Sequence, residues 1–103
     1  MTVQVGNGVI HTGDAMEVLR TLSPKSVHAI VTSPPYYGHR QYGTPPVDWG
    51  DWRGELGCEP TPELFIAHLT SVLHEAHRVL RDDGSLYVVI GDSWAHSPAP
   101  PGY

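Results

Sequence analysis

Residues 32–38 read TSPPYYG, and their types and spacing suit one kind of chemistry. Proline disfavours the α region for the residue before it, so Ser33 and Pro34 are both pushed extended. Pro34 and Pro35 also have fixed φ and no N–H. The backbone carbonyls are thereby aimed outward with little freedom. The Ser33 hydroxyl and the Pro34 carbonyl can each accept a hydrogen bond from an exocyclic amino group, and Tyr36 can stack on the flat ring that carries it. The same residues also suit a plainer use, as a rigid polyproline turn or a ligand for an SH3-like module.

Two carboxylates close other apolar runs, Asp14 after HTG and Asp92 after VIG. Asp14 stands before a helical pattern, where it can serve as an N-cap. Asp92 suits a turn as well as a site. In open α/β sheets ligands collect at the carboxyl ends of the strands. If the three runs are parallel strands, Asp14, Ser33 and Asp92 face one cleft. His74 and His77 flank Glu75 and Ala76, one residue short of the HExxH metal spacing, and with no third ligand in evidence they read as a solvated helix face. No metal is expected. Arg78, Arg81, Asp82 and Asp83 read as charge pairing at a helix end followed by a turn.

The elements that must position these residues follow from periodicity. VQVGNGVIHTGD holds two β-branched runs around Gly6, Asn7 and Gly8, a hairpin signal, with residues 9–12 as its second strand. Met16, Leu19 and Leu22 recur at helical spacing until Ser23 and Pro24 stop the run. Residues 27–32 form an apolar run of strand length that need not alternate if both faces are covered, as in parallel sheets. Residues 34–60 follow as a long irregular segment of the kind that is usually functional or disordered. Its aromatic residues, Tyr37, Tyr42, Trp49 and Trp52, suit stacking on a ligand or folding of the loop onto the core.

Thr61, Pro62 and Glu63 make a helix start: a capping hydroxyl, proline at the first helical position and an acid at the positive end of the dipole. Phe65, Leu69, Val72, Leu73, Ala76 and Leu80 keep one apolar stripe for about five turns. RDDG ends that helix and SLYVVIG reads as another buried strand. Strand, helix, strand, loop, helix, strand is the order of an α/β protein with a mostly parallel sheet and crossover helices. SWAHSPAPPGY has no periodic pattern, so residues 1–95 are expected as a partial domain and residues 96–103 as a proline-rich tail or truncated loop.

The totals bound the partners. With 103 residues the chain fits one domain at most. No apolar run approaches the roughly 20 residues needed to span a bilayer, and the first residues lack signal-peptide order, which points to a cytoplasmic protein without membrane contact. Cys58 is a single cysteine, able to form neither an internal disulfide nor a zinc knuckle. A formal net charge of −5 excludes a chain that coats nucleic acid electrostatically. It leaves room for a specific nucleic-acid enzyme.

Taken together, these stretches resemble the amino-methylating DNA methyltransferases, which act on cytosine N4 or adenine N6. TSPPY is similar to their catalytic motif [S/D/N]PP[Y/F] after the fourth strand. HTGDAMEVLRTLSPKSVHAIVTSPPYYG is similar in spacing to the family's upstream acidic turn and that motif, and LHEAHRVLRDDGSLYVVIGDSW to the helix, turn and strand that follow. The resemblance implies a partial Rossmann-like fold, S-adenosylmethionine as cofactor, and double-stranded DNA with a flipped base as substrate. It implies that Ser33, Pro34, Pro35 and Tyr36 hold the base and that Asp14 approaches the adenine amino group of the cofactor. Serine at the first motif position is more typical of cytosine-N4 enzymes and aspartate of adenine-N6 enzymes, so N4 is favoured and N6 is the alternative.

The family's glycine-rich FxGxG cofactor loop is missing, and GNG at residues 6–8 is better explained as a hairpin. In one permuted class the catalytic half precedes the cofactor half. A C-terminal half of the same enzyme would then carry the loop, leaving this chain alone inactive. The remaining alternative is a non-catalytic remnant or binding module that presents its proline-rich loops to a protein.

Overall fold

The computed structural model describes residues 1–38 and 41–91. Asp92 and the tail at 96–103 lie outside the described residues. The described residues form two compact units: residues 1–31 with 69–87, and residues 32–38 and 41–68 with 88–91.

In the first unit, β1 (Thr2–Val5) and β2 (Gly8–His11) pair antiparallel, with Val5 opposite Gly8 across a two-residue turn. The GNG stretch is therefore a hairpin turn, as its composition predicts. Helix α1 (Ala15–Thr21) starts at Asp14, whose extended backbone and carboxylate cap it through the Glu17 N–H at 3.2 Å. Its carbonyl end is held by the far end of α2 (Pro62–Val79): the Arg78 guanidinium donates to Leu19 O at 2.8 Å and Leu22 O at 3.0 Å. A cation there satisfies orphan carbonyls and opposes the negative end of the helix dipole. Arg78 also pairs with Glu75 at 3.0 Å. The buried core of this unit is Met16 from α1 with Ala76 and Val79 from α2.

Strand β3 (Val27–Thr32) pairs with β6 (Leu80–Val88) as a parallel sheet. The Ser26 N–H donates to Val79 O at 2.8 Å, and Lys25 bridges to Asp82 at 3.1 Å. The helix ends at Val79 and the strand begins at once, running through the RDDG stretch that was expected to be a turn.

Two expectations about the sheet are corrected. The mostly parallel sheet is, among the described residues, one parallel pair, because the two-residue turn folds β2 back onto β1 as a separate antiparallel ribbon. β2 and β3 therefore do not share a sheet, and the alignment of Asp14 and Ser33 on one sheet edge does not follow. Nor are the apolar runs covered on both faces: Val31 is 76% and Tyr87 58% exposed, while Val27 and Ile30 are half-buried. Cover among the described residues reaches only some strand positions.

In the second unit, residues 34–60 are less irregular than their composition suggests. β4 (Val47–Asp48) and β5 (Arg53–Gly54) form a small antiparallel ribbon, with Val47 opposite Gly54. The first turns of α2 follow, capped as expected by the Thr61 hydroxyl, which accepts from the Leu64 N–H at 3.2 Å. Among the described residues no helix is long and apolar enough to cross a membrane.

Candidate functional site

The diproline corner lies at the head of the second unit. Ser33 is exposed, while Pro34, Pro35, Tyr36 and Tyr37 are half-buried. Three contacts fix the corner. At its start Thr32 O accepts from the Val89 N–H at 2.9 Å, and at its end the Gly38 N–H donates to Gly57 O at 2.9 Å. Between them the Tyr36 ring lies against Gly91, where an added Cβ would stand 3.2 Å from the ring edge. Tyr37 packs beside Phe65 of α2, with ring centroids 5.5 Å apart and planes tilted by 38°. The arrangement leaves Ser33 exposed three positions before a half-buried Tyr36 whose ring lies against Gly91.

Gly57 carries the closest approach to the corner. Its φ of +101° is one that side chains rarely adopt, and a Cβ there would meet Tyr36 O at 3.1 Å and the Pro35 side chain at 3.3 Å. The Gly57 N–H donates to Glu59 Oε1 at 2.7 Å. Glu59 has a side chain with no solvent exposure, and its other oxygen lies 2.8 Å from His68 Nδ1. His68 Nε2 in turn lies 2.8 Å from Asp51 Oδ1. The Trp49 ring stacks on the imidazole with centroids 4.5 Å apart, and Trp52 lies near-parallel at 6.0 Å.

With a carboxylate oxygen at each ring nitrogen, His68 donates twice only as the imidazolium. Burial opposes that charge, but hydrogen bonds and attraction from Asp51 and Glu59 outweigh it and raise the His68 pKa above its usual 6.5. The pH dependence follows from that sign. A histidine whose folded pKa exceeds its unfolded one contributes stability in full below about 6.5, and the contribution is lost as pH rises through the raised value. Urea unfolding is therefore expected to show the protein growing less stable as pH rises above about 6.5. His68→Gln should flatten that slope, and an equal slope in both proteins would refute the assignment.

The sequence motifs divide as follows. Ser33, Pro34, Pro35 and Tyr36 stand together in the second unit. Asp14 belongs to the first unit, where its carboxylate caps α1. Trp49 and Trp52 fold onto His68 and Tyr37 onto Phe65, while Tyr42 is 56% exposed. His74 and His77 are exposed on α2, and among the described residues no group of three side chains could hold a metal ion. Burial, then the charges of Glu55 and Glu59, push the Cys58 thiol up, so it stays protonated at neutral pH. The Asp51, Glu59 and His68 cluster was not anticipated. Its one signal is that His68 lies three residues after Phe65 and four before Val72, on the apolar stripe.

Residues 27–99 match the family described as DNA methylase. The chain is 41% identical over 92 residues to the type II methyltransferase M.Cfr9I of Citrobacter freundii, covering 89% of this chain and 28% of that protein. It is 43% identical over 82 residues to the type II methyltransferase M.XycI of Xanthomonas campestris pv. cyanopsidis, covering 80% and 25%. It is 32% identical over 81 residues to the DNA adenine methyltransferase YhdJ of Escherichia coli strain K12, covering 79% and 24%. The chain thus spans about a quarter of the length of these relatives. No solved structure matches it significantly.

Proposed function

The chain belongs to the DNA methylase family, and from that premise we propose that it is the base-holding part of an enzyme that methylates the exocyclic amino group of a flipped base, cytosine N4 in preference. The observation that carries the reading is the corner itself: an exposed Ser33 three positions before a half-buried Tyr36, in a segment fixed at Thr32, Gly38 and Gly91. Residues 1–95 are read as part of a Rossmann-like catalytic domain.

An aromatic amino nitrogen is a poor nucleophile because its lone pair is delocalised into the ring. Acceptors at Ser33 Oγ and Pro34 O draw its N–H bonds out of the ring plane and favour a tetrahedral nitrogen with a free lone pair. Removing the base from the duplex costs about a few kcal/mol, repaid in part by stacking on Tyr36. Holding two reactants in register can supply roughly 7–11 kcal/mol of barrier reduction in favourable cases. A rigid corner suits that task.

S-adenosylmethionine, when bound, supplies the methyl group. The described residues fit only a small part of it. Asp14 is half-buried, commits one carboxylate oxygen to the α1 cap and can offer the other to an amino group. The GNG stretch is closed as a hairpin and opens no helix, so it forms no cradle for the cofactor. Asp14 is therefore proposed as a single cofactor contact, with the glycine-rich loop carried by a C-terminal half of the same enzyme.

The second reading, adenine N6, is favoured by the 32% identity to a protein named as a DNA adenine methyltransferase. Serine at position 33 supports N4. Labelled methyl transfer from S-adenosylmethionine to duplex DNA by the full-length protein, followed by mass spectrometry of the nucleosides, separates them. N4-methylcytosine is expected, N6-methyladenine would select the second reading, and no labelled base would reject both.

A further inference from the structure

The two prolines fix φ at positions 34 and 35, but not the backbone torsions of Tyr36. Those torsions decide where the Tyr36 ring points. The backbone of Gly57 is pressed against the Tyr36 carbonyl, which belongs to the peptide between Tyr36 and Tyr37, so close that a Cβ would stand 3.1 Å from Tyr36 O and 3.3 Å from the Pro35 side chain. Gly57 in turn is held on both of its polar groups. Its carbonyl accepts from the Gly38 N–H at 2.9 Å, and its N–H donates to Glu59 at 2.7 Å.

We propose that Glu59 is a positioning residue, held by His68, which fixes Gly57 and through it the Tyr36 carbonyl, and so the Tyr36 backbone, in the orientation that presents Ser33 and Tyr36. The inference rests on the base-holding reading of the corner. A buried carboxylate is tolerated only when its oxygens are satisfied with good geometry, and such networks have few alternative arrangements. Glu59 meets that condition through one backbone N–H and one imidazole, each within 2.8 Å. Asp51 holds the far side of the imidazole and Trp49 covers its face. A loop that needed only to be closed could use an apolar side chain here. A carboxylate joined to a glycine N–H specifies where that glycine stands.

Glu59→Gln and Glu59→Leu distinguish the role in the full-length protein. In Glu59→Gln the amide oxygen still accepts from the Gly57 N–H, and the amide NH2 donates to Nδ1 of a neutral His68 whose Nε2–H still reaches Asp51. Glu59→Leu removes both bonds. Two readouts are taken: hydrogen exchange of the Gly38 amide, and kcat and KM for methyl transfer. In Glu59→Leu, Gly38 exchange should rise about tenfold as local opening becomes easier. Its kcat should fall about 10- to 100-fold, with the KM for the methyl donor unchanged, since misplacement by about 1 Å can cost 100-fold. Glu59→Gln should recover both readouts to within about threefold, because it restores both contacts.

Gly57→Ala guards against a Leu variant that fails to fold. It keeps the Glu59–His68 pair but presses on Tyr36 O, and should lower kcat by a similar factor. Wild-type kcat in Gly57→Ala, unaltered Gly38 exchange in Glu59→Leu, or a Glu59→Gln variant as impaired as the leucine would each overturn the proposal. A wild-type protein that transfers no methyl group would reject the base-holding reading alone. The Gly38 amide would then decide whether Glu59 fixes the corner.

Discussion

On the proposed base-holding role, Tyr36→Ala in the full-length protein is expected to lower methyl transfer to duplex DNA about 100-fold while the protein stays folded. Stacking of a base on an aromatic side chain is worth about 1–3 kcal/mol, and each 1.36 kcal/mol is a factor of ten in rate. Loss of stacking alone therefore spans roughly five- to 150-fold. Without the ring, the base is also free to tilt away from Ser33 and Pro34, which adds to the loss. The fold should survive because the backbone bonds on either side of the corner, Val89 to Thr32 and Gly38 to Gly57, do not use the Tyr36 side chain. Initial rates with a DNA substrate, beside circular dichroism of the variant, make the measurement. A Tyr36→Ala enzyme working within a few-fold of wild type would remove Tyr36 from the site.

His68→Leu should cost about 3–5 kcal/mol of stability, the range for breaking a buried ion pair by removing one partner. The two carboxylates respond differently. The Asp51 side chain is 60% exposed and can turn to water, whereas that of Glu59 has no exposure and keeps only the Gly57 N–H. Because small domains are stable by only about 5–15 kcal/mol, such a loss is a large share of the total. Urea unfolding followed by tryptophan fluorescence reports it, since Trp49 and Trp52 lie over the imidazole. Adding Glu59→Gln to His68→Leu should recover part of the loss by removing the stranded charge. A His68→Leu protein within about 1 kcal/mol of wild type would mean that the cluster is a surface ion pair in energetic terms.

The corner was legible because its signal is local: two prolines, a serine before them and an aromatic after them, directly behind an apolar run. Helix α2 was legible for the same reason, with Thr61, Pro62 and Glu63 at its start and a stripe from Phe65 onward. The pairing of Asp51, Glu59 and His68 was not, because the partners stand nine and 17 residues apart and meet only through the loop's tertiary path. His68 is one polar residue within the helical pattern from Phe65 onward. Only its place on the apolar stripe hinted at burial, and Glu59 gave no such hint. The β4–β5 ribbon escaped because two-residue strands carry no periodicity. The sheet was misjudged because apolar runs report that a strand suits cover, and not which elements supply it: Val31 stays exposed although it closes the apolar run from Ala29.

The Arg78 grip on Leu22 joins residues 56 positions apart, and the first unit takes its two parts from either side of residues 32–68. Synthesis at about 5–20 residues per second means that α1 waits roughly 3–11 s on the ribosome before the arginine that seals its carbonyl end is even made. In that interval the whole of 32–68 is made. The diproline corner is completed later still, because its partners Val89 and Gly91 are made after Arg78, so the frame of the first unit can be sealed before the corner is fixed.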